Sequence, residues 1–188
     1  MPIHAFNDKL RYSLGEHERS DCELLKKIIP GCVNVIKTDI NTDKAGVDYI
    51  ATLLGGAKIG VDAKTREAGA SRFWKHNEPE LALETWSVRP SINNKSGKLG
   101  WTLSTASGVD LILFTFAPQD SHEIFLLPFH HLRTAFYLFG KGWQSRYGEK
   151  IQDSGGWKSS AVFVPASVVL DGIRDVMTGR MGIKNERE

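Results

Sequence analysis

A pair of glycines, Gly55 and Gly56, separates two runs of mainly β-branched and apolar residues, residues 47–53 and residues 57–64. Adjacent glycines between two such runs indicate a β-hairpin, because glycine accepts the positive φ angles of a tight turn. Side chains alternate along a strand, so the register of this hairpin determines which side chains of the two runs share a face. The hairpin therefore constrains the fold and the site more than any other segment.

Two acids and a lysine lie at the open end of this hairpin: Asp48 begins the first run, and Asp62 and Lys64 end the second. Asp62 and Lys64 are two residues apart and share a face in a strand. A two-residue loop would place Asp48 opposite Ala63, whereas a three-residue loop over residues 54–56 places it opposite Asp62. We predict the three-residue loop, for which a left-handed glycine is the usual device. The two carboxylates would then lie about 5 Å apart, and they need a cation between them.

This arrangement predicts a site for a hard divalent cation. Asp48, Asp62 and the backbone carbonyl of Ala63 offer only oxygen ligands, which suit Mg²⁺ or Mn²⁺. Such an ion lowers the pKa of a bound water and neutralises charge on a phosphate. Lys64 can position that water and stabilise the developing charge. The residues thus predict phosphodiester hydrolysis. The alternative is that both aspartates are turn residues of an unrelated α+β interaction module.

The other elements predict an α+β fold, a mixed β-sheet flanked by helices. An amphipathic helix is predicted over residues 19–29 and ends at Pro30, and a strand follows over residues 33–37. The remaining predicted strands cover residues 81–88, 109–116, 122–127 and 160–164. The remaining predicted helices cover residues 101–107, 129–139 and 167–177. Loops are predicted over residues 65–79, 89–100 and 140–158.

The order of helix, strand, Asp-led strand, tight hairpin and Asp-x-Lys resembles the PD-(D/E)xK nuclease superfamily, which includes restriction endonucleases and Holliday junction resolvases. The resemblance covers residues 18–64. In it, Asp48 corresponds to the first motif aspartate, Asp62 to the acid of the second motif and Lys64 to its lysine; Val47 stands where the name of the pattern has proline. The resemblance implies a restriction endonuclease-like core and a metal-dependent nuclease.

The superfamily commonly also has a glutamate on the first helix that helps to bind the metal. The acids in that segment are Glu18, Asp21 and Glu23. Glu18 and Asp21 are three residues apart and can share a helical face. We favour Glu18 as the catalytic and metal-binding acid, with Asp21 second. The alternative is that these acids are helix N-terminal residues stabilised by the helix dipole.

Basic and aromatic residues follow Lys64, and residues 140–158 repeat that composition. Cationic side chains contact phosphates and aromatic rings stack on bases. The first segment therefore predicts nucleic-acid contacts by Arg66, Arg72, Trp74 and Lys75. The alternative for both segments is a solvated loop anchored by its aromatic residues. DNA is the expected partner, and RNA is the alternative. The sequence does not distinguish an endonuclease from an exonuclease. A homodimer would supply the two sites needed to cut both strands of a duplex.

Length and composition set the remaining expectations. The chain of 188 residues, 41% hydrophobic and 24% charged, suits one domain over residues 1–178 with a polar tail over residues 179–188. Its net charge of +2 does not by itself indicate a nucleic-acid partner. No apolar run reaches the length of a membrane span and no signal organisation is present, so we expect a cytoplasmic protein with Cys22 and Cys32 as free thiols.

Three further residues need an interpretation. Glu84 lies in an otherwise apolar strand, so it is expected either to line the site or to form a salt bridge with Lys58 or Arg89. His130 and His131 point about 100° apart on a helix, and we expect them to cap or pack rather than to share a metal. A non-catalytic nucleic-acid- or protein-binding protein on the same fold is the alternative to a nuclease, and the complete set of acids favours the nuclease.

Overall fold

The structure, a computed structural model, describes residues 21–39, 46–66, 74–75, 78–92, 94–104, 108–116, 123–153 and 156–180. Over these residues the chain forms helices and two β-sheets, one of them mixed, which confirms the α+β class. Backbone contacts divide the chain into two compact units. The first comprises Met1–Ala63 and Gly108–Leu111, and the second comprises Lys64–Ser107 and Ile112–Glu188. The single domain over residues 1–178 stays a prediction.

The helices within the described residues are α1 (residues 21–28), α2 (Phe129–Tyr147) and α3 (Ala166–Met177). The strands are β1 (Cys32–Lys37), β2 (Tyr49–Leu53), β3 (Lys58–Arg66), β4 (Trp74–Lys75), β5 (Glu78–Val88), β6 (Lys98–Leu99), β7 (Leu111–Phe116), β8 (Glu123–Pro128), β9 (Glu149–Asp153) and β10 (Lys158–Pro165). None of these helices has the length and apolar character required to cross a bilayer.

The first unit is organised around the predicted helix and hairpin. Helix α1 buries Leu25 and exposes Lys26, as its amphipathic pattern predicts, and it ends before Pro30. Strand β1 pairs antiparallel with β2, with Val35 opposite Ala51, and both of these side chains are buried. The two cysteines, Cys22 and Cys32, are half-buried and form no disulfide, in agreement with the prediction of free thiols.

The first sheet has the strand order β1-β2-β3-β7-β8. Strand β3 continues through the boundary between the units and pairs with β7 in each of them. In the first unit the amide of Asp110 donates to the carbonyl of Gly60 at 2.8 Å, and in the second the hydroxyl of Thr115 donates to that of Thr65 at 3.1 Å. The contacts advance in the same direction along both strands, so this pair is parallel and the sheet is mixed.

The second unit contains the second sheet, with the order β4-β5-β10-β9 and with β6 paired to β5. Its central strands, β5 and β10, are antiparallel and bury apolar side chains such as Leu83 and Val162. Helices α2 and α3 pack closely where Trp143 meets Gly172: a Cβ atom added at this glycine would lie 3.0 Å from the indole ring. The absence of a side chain there permits the helix contact.

The prediction of a loop over residues 140–158 is wrong. Helix α2 continues to Tyr147, and β9 follows. Two glycines, Gly140 and Gly142, weaken the helical pattern of the sequence, each by up to about 1 kcal/mol. The burial of Trp143, which is only 7% exposed, outweighs that cost. Trp143 is therefore a core residue and is not available to stack on a base.

Two further boundaries differ from the prediction. Residues 101–103 form a turn rather than the start of a helix. The connection predicted over residues 65–79 is shorter, because β3 extends to Arg66, β4 is present, and β5 begins at Glu78. Pairing between β4 and β5, with Trp74 opposite Pro79, accounts for the extra strand residues, and such pairing is not visible in a single run of sequence.

Candidate functional site

The hairpin has the predicted three-residue loop. The amide of Leu53 donates to the carbonyl of Ala57 at 2.8 Å, which leaves residues 54–56 as the loop, and both Gly55 and Gly56 have positive φ angles, 94° and 87°. The register between β2 and β3 accordingly pairs Tyr49 with Val61. This is the register on which the metal-site prediction depends.

The ladder becomes irregular one residue beyond this pair, at Asp48. Its amide donates to the carbonyl of Val61 at 2.9 Å, so the regular pairing of β2 with β3 does not continue through it. Its carboxylate Oδ2 accepts the amide of Ala63 at 2.7 Å. On the other side of β2, Thr38 fixes the same backbone, because its amide donates to the carbonyl of Asp48 at 2.9 Å. The Asp48 side chain is therefore held against the Asp62–Ala63 segment of β3.

Asp62 is buried, at 3% exposure, whereas Asp48 is half-buried. A buried carboxylate is costly unless hydrogen bonds or opposite charge compensate it. Lys64 is half-buried and follows Asp62 by two residues in the continuous strand β3. It is the first residue of the second unit, whereas Asp48, Asp62 and Ala63 belong to the first.

Asp21 of α1 reaches the residue that follows Asp48 in the chain. Its carboxylate Oδ2 accepts the hydroxyl of Tyr49 at 3.1 Å, and both residues are buried. Burial raises the pKa of Tyr49 above its ordinary value, and the negative charges of Asp21 and, to a smaller extent, Asp48 raise it further. A helical acid therefore lies near the start of β2, as the superfamily resemblance requires, and the potential there is negative.

Several residues of the predicted site cannot be placed. Glu18, the favoured helical acid, and Arg72 lie outside the described residues. Arg66, Trp74 and Lys75 have a described backbone, in β3 and β4, while their side chains lie outside the description. The predicted nucleic-acid contacts of these residues stay predictions.

The described residues offer the type of ligand that a hard cation requires, but fewer side-chain ligands than such a site commonly has. Asp48, Asp62 and the Ala63 carbonyl are all oxygen donors, as Mg²⁺ or Mn²⁺ requires. Among the described side chains, no three or more His, Cys, Asp or Glu residues are grouped so that they could hold a metal ion. The donor set predicted from the sequence combines two side chains with a backbone carbonyl and adds Glu18, which lies outside that part of the chain.

Glu84 does not form either of the predicted salt bridges. Its carboxylate accepts the hydroxyl of Ser87 at 2.7 Å and the amide of Trp101 at 3.2 Å. Arg89 pairs instead with Glu149, at 2.8 Å. The hydrogen bonds to Ser87 and Trp101 satisfy the charge of Glu84 within the second unit, which explains how an acid is tolerated in this strand.

Glu149 is the centre of a polar network between β5, β9 and β10. Its carboxylate accepts hydrogen bonds from Thr85, Ser160 and Arg89, and the first two of these residues are almost fully buried. Burial by itself would raise the pKa of Glu149, but these hydrogen bonds and the charge of Arg89 hold it below its ordinary value. The network stabilises the second sheet.

The sequence interpretation missed a cavity in the second unit. It measures about 330 Å³, and the described residues that line it are Thr102, Leu103, His130, Arg133, Thr134 and Tyr137. The last four residues follow the i, i+3, i+4, i+7 pattern of one helical face of α2, which was the available signal. His130 is exposed and lines this cavity, and the N-cap of α2 makes no side-chain hydrogen bond, so His130 has neither the core role nor the capping role that was expected. Its ring does contact the ring of Phe129, with 6.3 Å between the centroids.

Comparison of the chain with protein-family models, with curated proteins and with solved structures finds no match. Membership of the PD-(D/E)xK superfamily therefore stays a prediction that depends on the motif residues and on the hairpin.

Proposed function

We propose that the protein is a metal-dependent nuclease that hydrolyses phosphodiester bonds, with DNA as its substrate. The observation that carries the proposal is the hydrogen bond from the Ala63 amide to the Asp48 carboxylate, in a hairpin with the predicted loop length. It brings the acid of the first motif against the segment that contains Asp62. An oxygen-rich, negatively charged site of this kind favours a divalent cation.

In this proposal Asp48, Asp62 and the Ala63 carbonyl hold Mg²⁺ or Mn²⁺ with help from a helical acid, Glu18 or Asp21. When bound, the ion makes a water more acidic and offsets phosphate charge. The ammonium group of Lys64 orients the attacking water and stabilises the charge that develops on the phosphate oxygens. The Asp48 side chain is fixed before substrate binds, because the Ala63 amide already holds it.

The charge distribution supports the same proposal. Two carboxylates, those of Asp21 and Asp48, contribute to the raised pKa of Tyr49, so both act on a shared region of the first unit. A cation bound in this region would offset the negative charge of both carboxylates. A site with this negative charge gains affinity for a divalent ion from that compensation.

The first experiment measures cleavage of plasmid, single-stranded DNA, branched DNA and RNA, each with Mg²⁺ and with EDTA. Asp62→Asn and Lys64→Ala are expected to lose at least about a hundredfold in rate, because each removes a group that acts in the chemical step. The matched controls are Lys58→Ala, at an exposed position of the same strand, and Asp171→Asn, at an exposed position of α3. Both controls are expected to retain wild-type rates.

Calorimetric titration with Mn²⁺ tests the metal site separately. The wild type is expected to bind the ion, and Asp48→Asn to abolish the binding while the thermal midpoint stays near that of the wild type, because the asparagine oxygen can still accept the Ala63 amide. A wild-type protein that binds no divalent ion would refute the proposal.

The second candidate is a non-catalytic protein that uses the same fold to bind nucleic acid or another protein. It is favoured by the grouping of the described acids, which does not reach three metal-ligating side chains, and by the Tyr49 hydroxyl that already donates to the Asp21 carboxylate. Retention of DNA in EDTA by a protein that cuts none of the four substrates would establish this candidate.

A further inference from the structure

The cavity at the start of α2 contains polar atoms for which the protein provides no partner. Thr102 is only 2% exposed, and its hydroxyl oxygen is buried without a hydrogen bond. Arg133 also lines the cavity, and its Nε atom is likewise buried without a hydrogen bond. A buried polar atom left unsatisfied is unfavourable, and native proteins contain few of them. Two such atoms on residues that line one cavity are polar groups that a bound ligand can satisfy.

The charges around the cavity select an anion. Among the described residues, its lining includes Arg133 and His130 and no acidic residue. No carboxylate of the described residues pairs with the Arg133 guanidinium, which lies over the ring of Phe129 at 5.6 Å from its centroid. A cation–π contact of this kind does not use the guanidinium N–H groups, which therefore remain donors for a ligand.

The helix adds to this preference. Helix α2 is 19 residues long and has no acid in its first turn, and its N-cap, Pro128, makes no side-chain capping bond. The backbone N–H groups of a helix N-terminus, together with the helix dipole, attract anions. The hydroxyl hydrogen of Thr134 is not available to a ligand, because it is donated to the carbonyl of His130 at 2.9 Å. The donors left for a ligand are therefore those of Arg133, Thr102 and His130.

The volume of the cavity and the exposed ring of Tyr137 indicate a ligand larger than a bare anion. A volume of about 330 Å³ exceeds what a bare oxyanion fills. Tyr137 lines the cavity and is 84% exposed, so its ring can stack on a flat group. A phosphate on the Arg133–Thr102 side with an attached aromatic base beside Tyr137 satisfies both features.

We infer that this cavity binds the phosphate group of a nucleoside phosphate. Arg133 forms the forked hydrogen bonds to the phosphate, and Thr102 donates its buried hydroxyl. A free nucleotide and the backbone of a nucleic acid offer the same group. The inference depends only on residues of the second unit, so it stands or falls separately from the metal site of the first unit.

The test is calorimetric titration of the full chain in EDTA, which removes any contribution from a metal. The probes are inorganic phosphate, adenosine 5′-monophosphate, a four-nucleotide oligothymidylate and, as the phosphate-free control, adenosine. The wild type is expected to bind a phosphate-containing probe and not adenosine. Tighter binding of the monophosphate would identify a free nucleotide as the ligand, and tighter binding of the oligonucleotide would identify a nucleic acid.

The variants separate recognition from folding. Arg133→Gln is expected to weaken binding about tenfold or more, and Arg133→Lys to weaken it less, because lysine keeps the charge and loses the fork. Thr102→Val is expected to weaken binding while the thermal midpoint stays the same or rises, since it removes an unsatisfied buried hydroxyl. His131→Ala, next in sequence to His130 and outside the cavity lining, is the matched control and should bind like the wild type.

Two results would overturn the inference. One is the absence of binding of all three phosphate probes at millimolar concentration. The other is binding that Arg133→Gln leaves unchanged in a folded protein, as judged by its thermal midpoint. A Tyr137→Ala variant checks the base position: it should weaken binding of the monophosphate and leave inorganic phosphate unaffected, and an equal loss for both probes would contradict the stacking role.

Discussion

Replacing Tyr49 by phenylalanine removes one buried hydroxyl group and almost no volume. That hydroxyl donates to the Asp21 carboxylate at 3.1 Å. A hydrogen bond to a charged partner contributes about 1.5–3 kcal/mol, and the acceptor left behind stays buried. For a chain of this length each 1 kcal/mol shifts the thermal midpoint by roughly 2–4 °C. Tyr49→Phe is therefore expected to lower the midpoint by about 3–12 °C at pH 8, measured by calorimetry or circular dichroism.

The pH dependence of this difference gives a second, independent measure. Burial and the Asp21 carboxylate raise the pKa of Tyr49 above its ordinary value of 10.0, so the folded state keeps the proton to higher pH than the unfolded state. Below pH 10 both states are protonated, and the advantage of the wild type over Tyr49→Phe is constant. Above pH 10 the unfolded state alone loses the proton, and the advantage falls by about 1.4 kcal/mol per pH unit.

Urea denaturation of both proteins at pH 8 and pH 11 measures this change directly. The comparison isolates Tyr49, because every other group that titrates is common to the two proteins. Equal stability of the two proteins at pH 8, or a difference that does not change between the two pH values, would refute the buried Tyr49–Asp21 contact.

Two further stability predictions follow from the structure. Glu149→Gln is expected to destabilise the protein by about 1–3 kcal/mol at pH 7. The pKa of Glu149 is lowered in the folded state, so its contribution to stability is fully present above pH 4.5, its ordinary pKa, and disappears as the pH falls through the pKa of the folded state. A stability difference between Glu149→Gln and the wild type that persists unchanged to pH 3 in urea denaturation would contradict this contribution. Gly60→Ala is expected to cost about 1–3 kcal/mol or more, because its Cβ would lie 2.3 Å from the backbone oxygen of Gly108. Gly142→Ala, at an exposed position of α2 with open space around the added Cβ, should stabilise by roughly 0.5–1 kcal/mol. Equal thermal midpoints for these two variants would show the close approach to be absent.

The hairpin could be predicted from sequence because its determinants are local. Gly55 and Gly56 specify the turn, and the alternation of the flanking runs specifies the strands. The positions of Asp48 and Asp62 could be predicted less well, because the regular register ends at Tyr49 and Val61, one residue before Asp48. The irregular hydrogen bond of the Asp48 amide to Val61, and the capture of the Asp48 carboxylate by Ala63, depend on how the strand ends, which no short-range pattern encodes.

The larger errors involve contacts between distant segments. Helix α2 extends beyond its predicted end because Trp143 packs against α3, and that contact outweighs two helix-weakening glycines. Arg89 pairs with Glu149, sixty residues away in sequence, rather than with Glu84, which precedes it in the adjoining strand β5. The cavity requires the turn at Thr102 to approach α2. Sequence periodicity gives the face of a helix but not the segment that covers it.

The capture of the Asp48 carboxylate by the Ala63 amide gives one side chain two tasks. It completes the strand pairing where a main-chain carbonyl would otherwise be the acceptor, and in the proposed enzyme it is also a ligand. The length of the hairpin loop therefore determines the position of the Asp48 carboxylate. One residue inserted between Leu54 and Gly56 would shift Asp48 relative to Ala63, while the strands could still pair. Enzymes of this design would tolerate substitutions in such a turn far better than insertions.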